Sequence, residues 1–342
     1  MKNQYCILIK ILLVLTVFFY SCMTKEPDYQ QADKKDRARE YKIIDAILND
    51  LPDNEIALKF NNIEKVRTVH DLSEIVNKFA CNEKIFQAIL LDFLDSHIMQ
   101  ICPIKNYTND FDMTFVYILP GTFFMGSPEN ETGRSIDEIQ HLVELTQGFY
   151  LQTTEVTQGQ WKSVMGNIPS YFKTCGEDCP VENVTWGDAQ RFIRELNLYE
   201  NSNRYRLPTE AQWEYAARAA STTAFANGDI IETACNIDTN LSKMAWYCGN
   251  SNSKTHPVAQ KQPNAWGLFD MHGNVWEWCS DWYGKYFAKS VTDPVGPSSG
   301  SFRVLRGGGW GYDARSCRSA NRHYNSHGSR YYSIGLRLMR TP

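Results

Sequence analysis

The sequence predicts an α+β fold with little regular secondary structure, preceded by a small helical region. Three observations predict it. Apolar residues between 23 and 110 recur at helical spacing, whereas from 106–112 onward short β-rich runs are broken by Gly and Pro. The chain also carries 9 Trp, 18 Tyr and 17 Phe, enough aromatic bulk for a core held by loop packing. At 342 residues there is room for one large domain and a smaller one. The net charge of −4 offers nucleic acid no electrostatic attraction, and no nucleic-acid partner is expected.

Residues 1–22 read as a lipoprotein signal peptide. Lys2 and Lys10 flank or interrupt an apolar run from Ile7 to Tyr20 that stops at Ser21-Cys22. The run is short for a membrane span and has the charge-then-apolar order of a signal peptide. Its end, Phe18-Phe19-Tyr20-Ser21-Cys22, resembles a bacterial lipobox, with aromatics where aliphatic and small residues are usual. The expectation is cleavage before Cys22, lipidation of that cysteine, and a lipid-anchored protein of the bacterial cell envelope, at the outer membrane or cell surface. The polar stretch from Thr24 to Arg39 suits a tether leaving the membrane.

Residues 23–110 form the expected helical spacer or small bundle. Ile43, Ile44, Ile47 and Leu48 fall on one helical stripe, as do Ile75, Val76 and Phe79, and then Ile85, Phe86, Ile89, Leu90, Phe93 and Leu94. Pro52 and Asp53-Asn54 break the first helices, and Asp71 and Asn82 suit N-caps. His70 and His97 read as surface or packed residues.

The large domain is expected over 113–342. Phe115–Leu119 is a β-rich run ended by Pro120-Gly121, with a second run to Ser127. Helices are expected at Trp186–Leu196 and Thr209–Ala219, the latter opening on Pro208-Thr209-Glu210. The domain holds Cys175, Cys179, Cys235, Cys248, Cys279 and Cys317, an even number that in an exported protein suggests disulfides. Sequence does not fix their connectivity: Cys175 with Cys179 and Cys235 with Cys248 could each close a local loop, and Cys279 with Cys317 would then tie the Trp-rich segment to the C-terminal segment. Zinc competes, but no second close Cys or His pair has suitable spacing.

An ordered set of landmarks runs through this domain. It comprises Phe124-Met125-Gly126-Ser127, Glu155-Val156-Thr157 with Gln160-Trp161, and Pro180–Trp186. Tyr205–Arg218, Asn264–Met271 and Gly273–Trp278 follow, then Arg303–Trp310 and Ile334–Leu338. The set resembles the formylglycine-generating-enzyme (sulfatase-modifying-factor) family over about two thirds of the chain. The resemblance implies a glycine- and aromatic-rich variant of the C-type-lectin fold.

In that family a copper(I) ion held by two cysteines after a Gly-Gly-Ser-Tyr-like turn oxidises a sulfatase cysteine. Two soft thiolates suit that ion. Here the turn is Gly308-Gly309-Trp310, and Cys317 is the lone cysteine after it. No copper and no sulfatase-activating activity are therefore expected. The resemblance also implies calcium held by Asp270 and Glu277 carboxylates with the Gly273 and Val275 carbonyls, hard oxygen donors that suit Ca²⁺. Some relatives are nonheme-iron sulfoxide synthases, which makes iron chemistry an alternative. The spacing His323-x-x-x-His327, however, lies in a Gly/Ser/Asn-rich stretch unsuited to a helix.

The segment Gly311–Ser333 lacks Lys, Glu, Gln, Met and Trp. Between fixed-looking Arg315, Cys317-Arg318, Ala320 and Arg322 stand Gly311, Tyr312, Asp313, Ser316, His323, Tyr324, Asn325, Ser326, His327, Ser329, Tyr331, Tyr332 and Ser333. Each of these is reachable from an Asn codon by changing only adenines. That palette resembles the target of a diversity-generating retroelement, whose variable proteins use this lectin-like fold. Tyr offers contact area at low rotamer cost, and Ser, Asn, Gly, Asp and His offer adaptable hydrogen bonding, as in antibody loops. The expected function is a surface lipoprotein whose C-terminal segment binds a protein or glycan ligand. The alternatives are a family-type oxidase or iron oxygenase, and a structural component of an envelope assembly.

Overall fold

The computed structural model describes residues 58–60, 63–66 and 106–342. The chain divides into two compact units, Met1–Ile104 and Lys105–Pro342. In the first, β1 (Leu58–Phe60) and β2 (Ile63–Val66) pair antiparallel, Leu58 opposite Val66 and Phe60 opposite Ile63. These two strands lie within 23–110, where the sequence predicts a helical region. The signal peptide, Cys22 and the helical stripes at 43–48 and 75–94 lie outside the described residues.

The second unit opens on β3 (Tyr107–Thr108), paired with β4 (Thr114–Ile118). Then come β5 (Gly121–Met125), β6 (His141–Leu145) and β7 (Phe149–Gln152). Helix α1 (Gln158–Met165) precedes α2 (Trp186–Tyr199), β8 (Tyr205–Arg206), α3 (Glu210–Arg218) and the short α4 (Leu241–Met244). The C-terminal third is β9 (Trp276–Trp282), β10 (Val291–Thr292), β11 (Phe302–Arg306), β12 (His323–Ser326), β13 (Ile334–Gly335) and β14 (Met339–Arg340).

Helices start where the sequence supplies caps. Thr157, Thr185 and Thr209 each accept from the backbone N–H three residues on, and Gln160, Asp188 and Gln212 return the bond. Such reciprocal boxes satisfy two otherwise orphaned donors. The two expected helices are present, and α1 is a third that its weak periodicity conceals.

The described residues of the second unit form three sheets, ordered β3-β4-β7-β14-β8, β10-β6-β5 and β12-β11-β9-β13. One core packs α1 and α2 against the last of these, with Trp161 stacked on Phe192 at 4.8 Å and Trp276, Trp278, Leu305, Leu336 and Leu338 beneath. A second surrounds Trp213 of α3 with Met271, Cys279 and Val304. A third joins Phe225, Leu241 and Tyr247 to Ala314 and Cys317. Full burial of each large side chain contributes about 1.5–3 kcal/mol.

Cys175–Cys179 and Cys235–Cys248 are disulfides. The third pairing is corrected: Cys279 and Cys317 are both free and buried. They sit in different clusters, Cys279 beside α3 and Cys317 under the 224–247 loops, where each packs as a small apolar side chain.

Candidate ligand-binding face

Four arginines of the C-terminal third are buried, and each reaches a glutamate from earlier in the chain. Arg306 pairs with Glu214, Arg322 with Glu210, Arg337 with Glu277, and Arg318 with both Glu131 and Glu138. Charges at such depth persist only when paired and hydrogen-bonded. Two of the four, Arg318 and Arg322, lie inside the 311–333 segment. Burial pushes the Glu138 carboxyl up, but the Arg318 hydrogen bond and charge outweigh it and hold the group below its ordinary value.

These pins sort the segment. Ala314, Cys317, Arg318, Ser319, Ala320 and Arg322 are buried, whereas Gly311, Tyr312, Asp313, Ser316, Tyr324, Asn325, Ser326, His327, Ser329, Tyr331 and Tyr332 are half-buried or exposed. His323 is half-buried too, and burial lowers its pKa. Ser333 departs from the pattern, since it is buried and its carbonyl accepts from Trp276 N. Fixed-looking Arg315 departs the other way, exposed and paired with Asp313.

The exposed positions do not all share one face. Asp313 and Ser316 are occupied with each other, Asp313 capping the short helical turn Ala314–Cys317. Strand β12 pairs with β11 so that Asn325 lies opposite Arg303 and His323 opposite Leu305. Its alternate residues point to opposite sides. His323 packs on Trp276, which Tyr312 also meets edge-on. His327 lies edge-on to Trp282. Tyr324 turns the other way, against Tyr283 at 4.3 Å and Phe302 at 5.0 Å. His323 opens the strand and His327 follows its end, so their spacing does not mimic a helical ligand pair, and no group of three or more His, Cys, Asp or Glu positioned for a metal exists among the described residues.

Sequence reasoning missed the aromatics that border this surface. Trp310 stacks on Tyr332 at 5.7 Å, and Tyr171 lies 5.4 Å from Tyr332 with Phe172 edge-on to Trp310. Tyr171 is 68% exposed and Tyr332 48%. The buried Glu182 carboxylate holds the loop, accepting from Tyr171 N at 3.1 Å and Phe172 N at 2.8 Å. Burial raises its pKa to about 6, against the pull of those two bonds.

The four residues of the expected calcium site divide. Glu277 is spent on Arg337, at 2.8–3.1 Å, and on Trp213 Nε1 at 2.7 Å. Gly273 sits at φ +80° in a turn where any Cβ would strike Trp246, and Val275 is buried beside it. Asp270 keeps one free oxygen: Oδ2 accepts from Ala259 N, and Oδ1 has no partner. Burial raises its pKa to about 6. Glu155, unassigned from sequence, is fully buried with both oxygens unpartnered. Burial first, and then the neighbouring Asp270 charge, push its carboxyl far up. Hard oxygen donors without protein partners fit a cation; a carboxylate already matched to a guanidinium does not.

A family model for the sulfatase-modifying factor enzyme 1-like domain matches residues 105–342. The chaperone protein LppX of Paenibacillus barcinonensis is 32% identical over 211 residues, covering 47% of this chain and 69% of that protein. The formylglycine-generating enzyme of Streptomyces coelicolor is 39% identical over 168 residues, covering 46% of this chain and 51% of the enzyme, about half its length. Among solved structures, Treponema denticola variable protein 1 superposes with TM-score 0.61 at 32% identity, over 70% of this chain and 99% of that one. PvdO from Pseudomonas aeruginosa gives TM-score 0.61 at 27% identity, over 70% and 98%.

Proposed function

The chain belongs to the sulfatase-modifying factor enzyme 1-like domain family, with its formylglycine-generating-enzyme-like variant of the C-type-lectin fold, and on that premise we propose that it is a binding protein and not an oxidase. It is an envelope lipoprotein, anchored through Cys22, that displays the 311–333 segment to a protein or glycan ligand. One observation carries this reading. Arg318, Cys317, Ala320 and Arg322 are pinned in the interior, while nearly every residue drawn from the Asn-codon palette reaches the surface. Side chains can then change at the surface without disturbing the charges that hold the fold. The likeness to a protein named as variable supports the same reading.

The chemistry at the turn also supports it. Cys317 is the lone thiol after Gly308-Gly309-Trp310, and burial pushes its pKa well up, so it is a neutral thiol and a poor ligand for copper. Calcium remains part of the proposal, in a structural role. Asp270 and Glu155 would supply the carboxylates and Gly273 and Val275 the carbonyls, with Glu277 kept on Arg337.

The test uses the soluble domain with Tyr331 and Tyr332 both changed to Ser. Its binding to intact cells and to a glycan array is compared with that of the wild type. Loss of a wild-type signal with unchanged stability supports the reading; full retention contradicts it. The similarity to a protein named as a chaperone favours a second reading, a component of an envelope assembly. A fixed partner that co-purifies whatever occupies positions 311–333 would favour that second reading.

A further inference from the structure

The segment that joins β9 to β11 walls a cavity of about 630 Å³, and no residue of the Asn-codon palette lines it. Met125, Tyr286, Val291, Pro294 and Pro297 give it largely apolar walls, and Phe287 and Val295, 72% and 67% exposed, stand at its mouth. Such a size and lining suit a small organic group. Asp281 belongs to the same lining but is only 3% exposed, which puts its carboxylate at the inner end.

That carboxylate is half used. Oδ2 accepts from Glu210 N at 3.0 Å and from Ser280 Oγ at 2.9 Å. Oδ1 accepts from no donor among the described residues, and it is not one of the polar atoms sealed from solvent. Gly296, at φ +71°, leaves it uncovered, since a Cβ there would stand 3.2 Å from Oδ1. Counter-charge is missing as well. Glu210, Glu214 and Glu277 each meet a guanidinium at salt-bridge distance, whereas no cation lies that close to Asp281 among the described residues. Burial, and then the Glu210 charge, raise its pKa to about 7, against its two hydrogen bonds and the Arg322 charge. Arg303 of β11 also feels its charge. His141 is in the lining too, its Nδ1 donating to Ile139 O at 2.9 Å, and Lys285 and Lys289 line the exposed part.

A buried carboxylate without a counter-ion is costly, so a cation is what completes it. A neutral hydroxyl would bring a hydrogen bond and no charge. A metal ion would find too few hard donors, because Glu210 is committed to Arg322. An ammonium on a hydrocarbon body uses both the free oxygen and the apolar walls. The Lys285 and Lys289 side chains are exposed, where screening keeps their repulsion small. We propose that this cavity is a binding site for a primary alkylammonium group, with Asp281 as its counter-ion. The site is separate from the 311–333 face and does not rest on the reading of that face.

The probe is n-pentylamine, titrated calorimetrically into the full chain at pH 6 and at pH 8, with 1-pentanol as its uncharged counterpart. The amine stays protonated at both, while Asp281 loses its proton between them. Affinity for the amine should therefore rise about tenfold from the lower pH to the higher, and affinity for the alcohol should not. Asp281→Asn should abolish the rise and bind at pH 8 no more tightly than wild type at pH 6. His141→Gln should keep the rise. A rise lost in His141→Gln but kept in Asp281→Asn, or equal affinity for alcohol and amine, would overturn the site. Nα-acetyl-lysinamide separates two sources of the group. Its binding assigns the site to a lysine side chain of a protein, its exclusion while pentylamine binds assigns it to a free amine, and either supports the proposal. If Asp281→Asn fails to fold, the wild-type series decides alone: an affinity that stays flat with pH overturns the proposal.

Discussion

Arg318→Met removes a guanidinium that is fully buried in the middle of the 311–333 segment. In the native protein it donates to Glu138 Oε1 at 2.6 Å and Oε2 at 2.8 Å, to Glu131 Oε1, and through Nε to Arg315 O. Methionine fills the volume but removes the guanidinium that pairs with both carboxylates, leaving Glu138 with the Ser127 hydroxyl at 2.7 Å and the Ser135 backbone, and Glu131 with the neighbouring Arg218 charge. Breaking one partner from a buried pair costs about 3–5 kcal/mol. At about 2–4 °C per kcal/mol for a domain of this size, the midpoint should fall by roughly 6–20 °C. Urea unfolding monitored by tryptophan fluorescence measures the free energy, and scanning calorimetry the midpoint. Tyr332→Ser, at a half-exposed position, is the comparison and should stay within about 1 kcal/mol of wild type. If Arg318→Met matches Tyr332→Ser, the division of the segment into pins and free positions is wrong.

Three further outcomes follow from other groups. Cys279 and Cys317 are buried free thiols whose pKa burial pushes well up, so alkylation of the native domain should spare both and label both after unfolding. A Cys279–Cys317 crosslinked peptide would contradict the structure. Glu182 titrates near 6 in the fold against an ordinary 4.5, so its contribution is complete below 4.5 and is lost as pH rises through 6. The stability difference between wild type and Glu182→Gln should therefore shift against wild type by about 2 kcal/mol over that window. His272 runs oppositely. Burial lowers its pKa to about 4, with Nδ1 donating to Cys317 O and Nε2 accepting from Ala226 N. Its contribution is complete above 6.5 and lost as pH falls through 4, so wild type minus His272→Gln should shrink by about 3 kcal/mol in that direction. A difference that stays flat with pH would refute either assignment.

Sequence carried the helices where chemistry announced them locally. Thr185 with Asp188 and Thr209 with Gln212 are legible capping pairs, and Pro120-Gly121 marks the turn between β4 and β5. Thr157 with Gln160 is an equally good pair, but the apolar spacing behind it is poor and α1 went unseen. What stayed hidden depends on distance across the fold. Cys279 and Cys317 looked like partners only because two were left over, and parity says nothing about separation. Glu155 reads as an ordinary acidic residue until burial strips it of partners. Arg303 sits in a strand like any surface arginine, and only the arrival of Trp186 from α2 and Trp282 from β9 places it between two indoles. The 311–333 pattern was legible in the composition of the segment, which lacks Lys, Glu, Gln, Met and Trp. Which residues point outward needed the arginine pins.

Under the proposed function, the exposed residues of 311–333 vary while its buried ones stay constant. The most direct measurement is to sequence the source genome around the gene and search for a near-copy of the stretch encoding 311–337 beside a reverse transcriptase gene. Such a copy is expected, with Asn codons at Tyr312, Asp313, His323, Tyr324, His327, Tyr331 and Tyr332 and unchanged codons at Cys317, Arg318, Ala320 and Arg322. A genome with no such repeat, or a repeat that differs at the buried arginines, would contradict it.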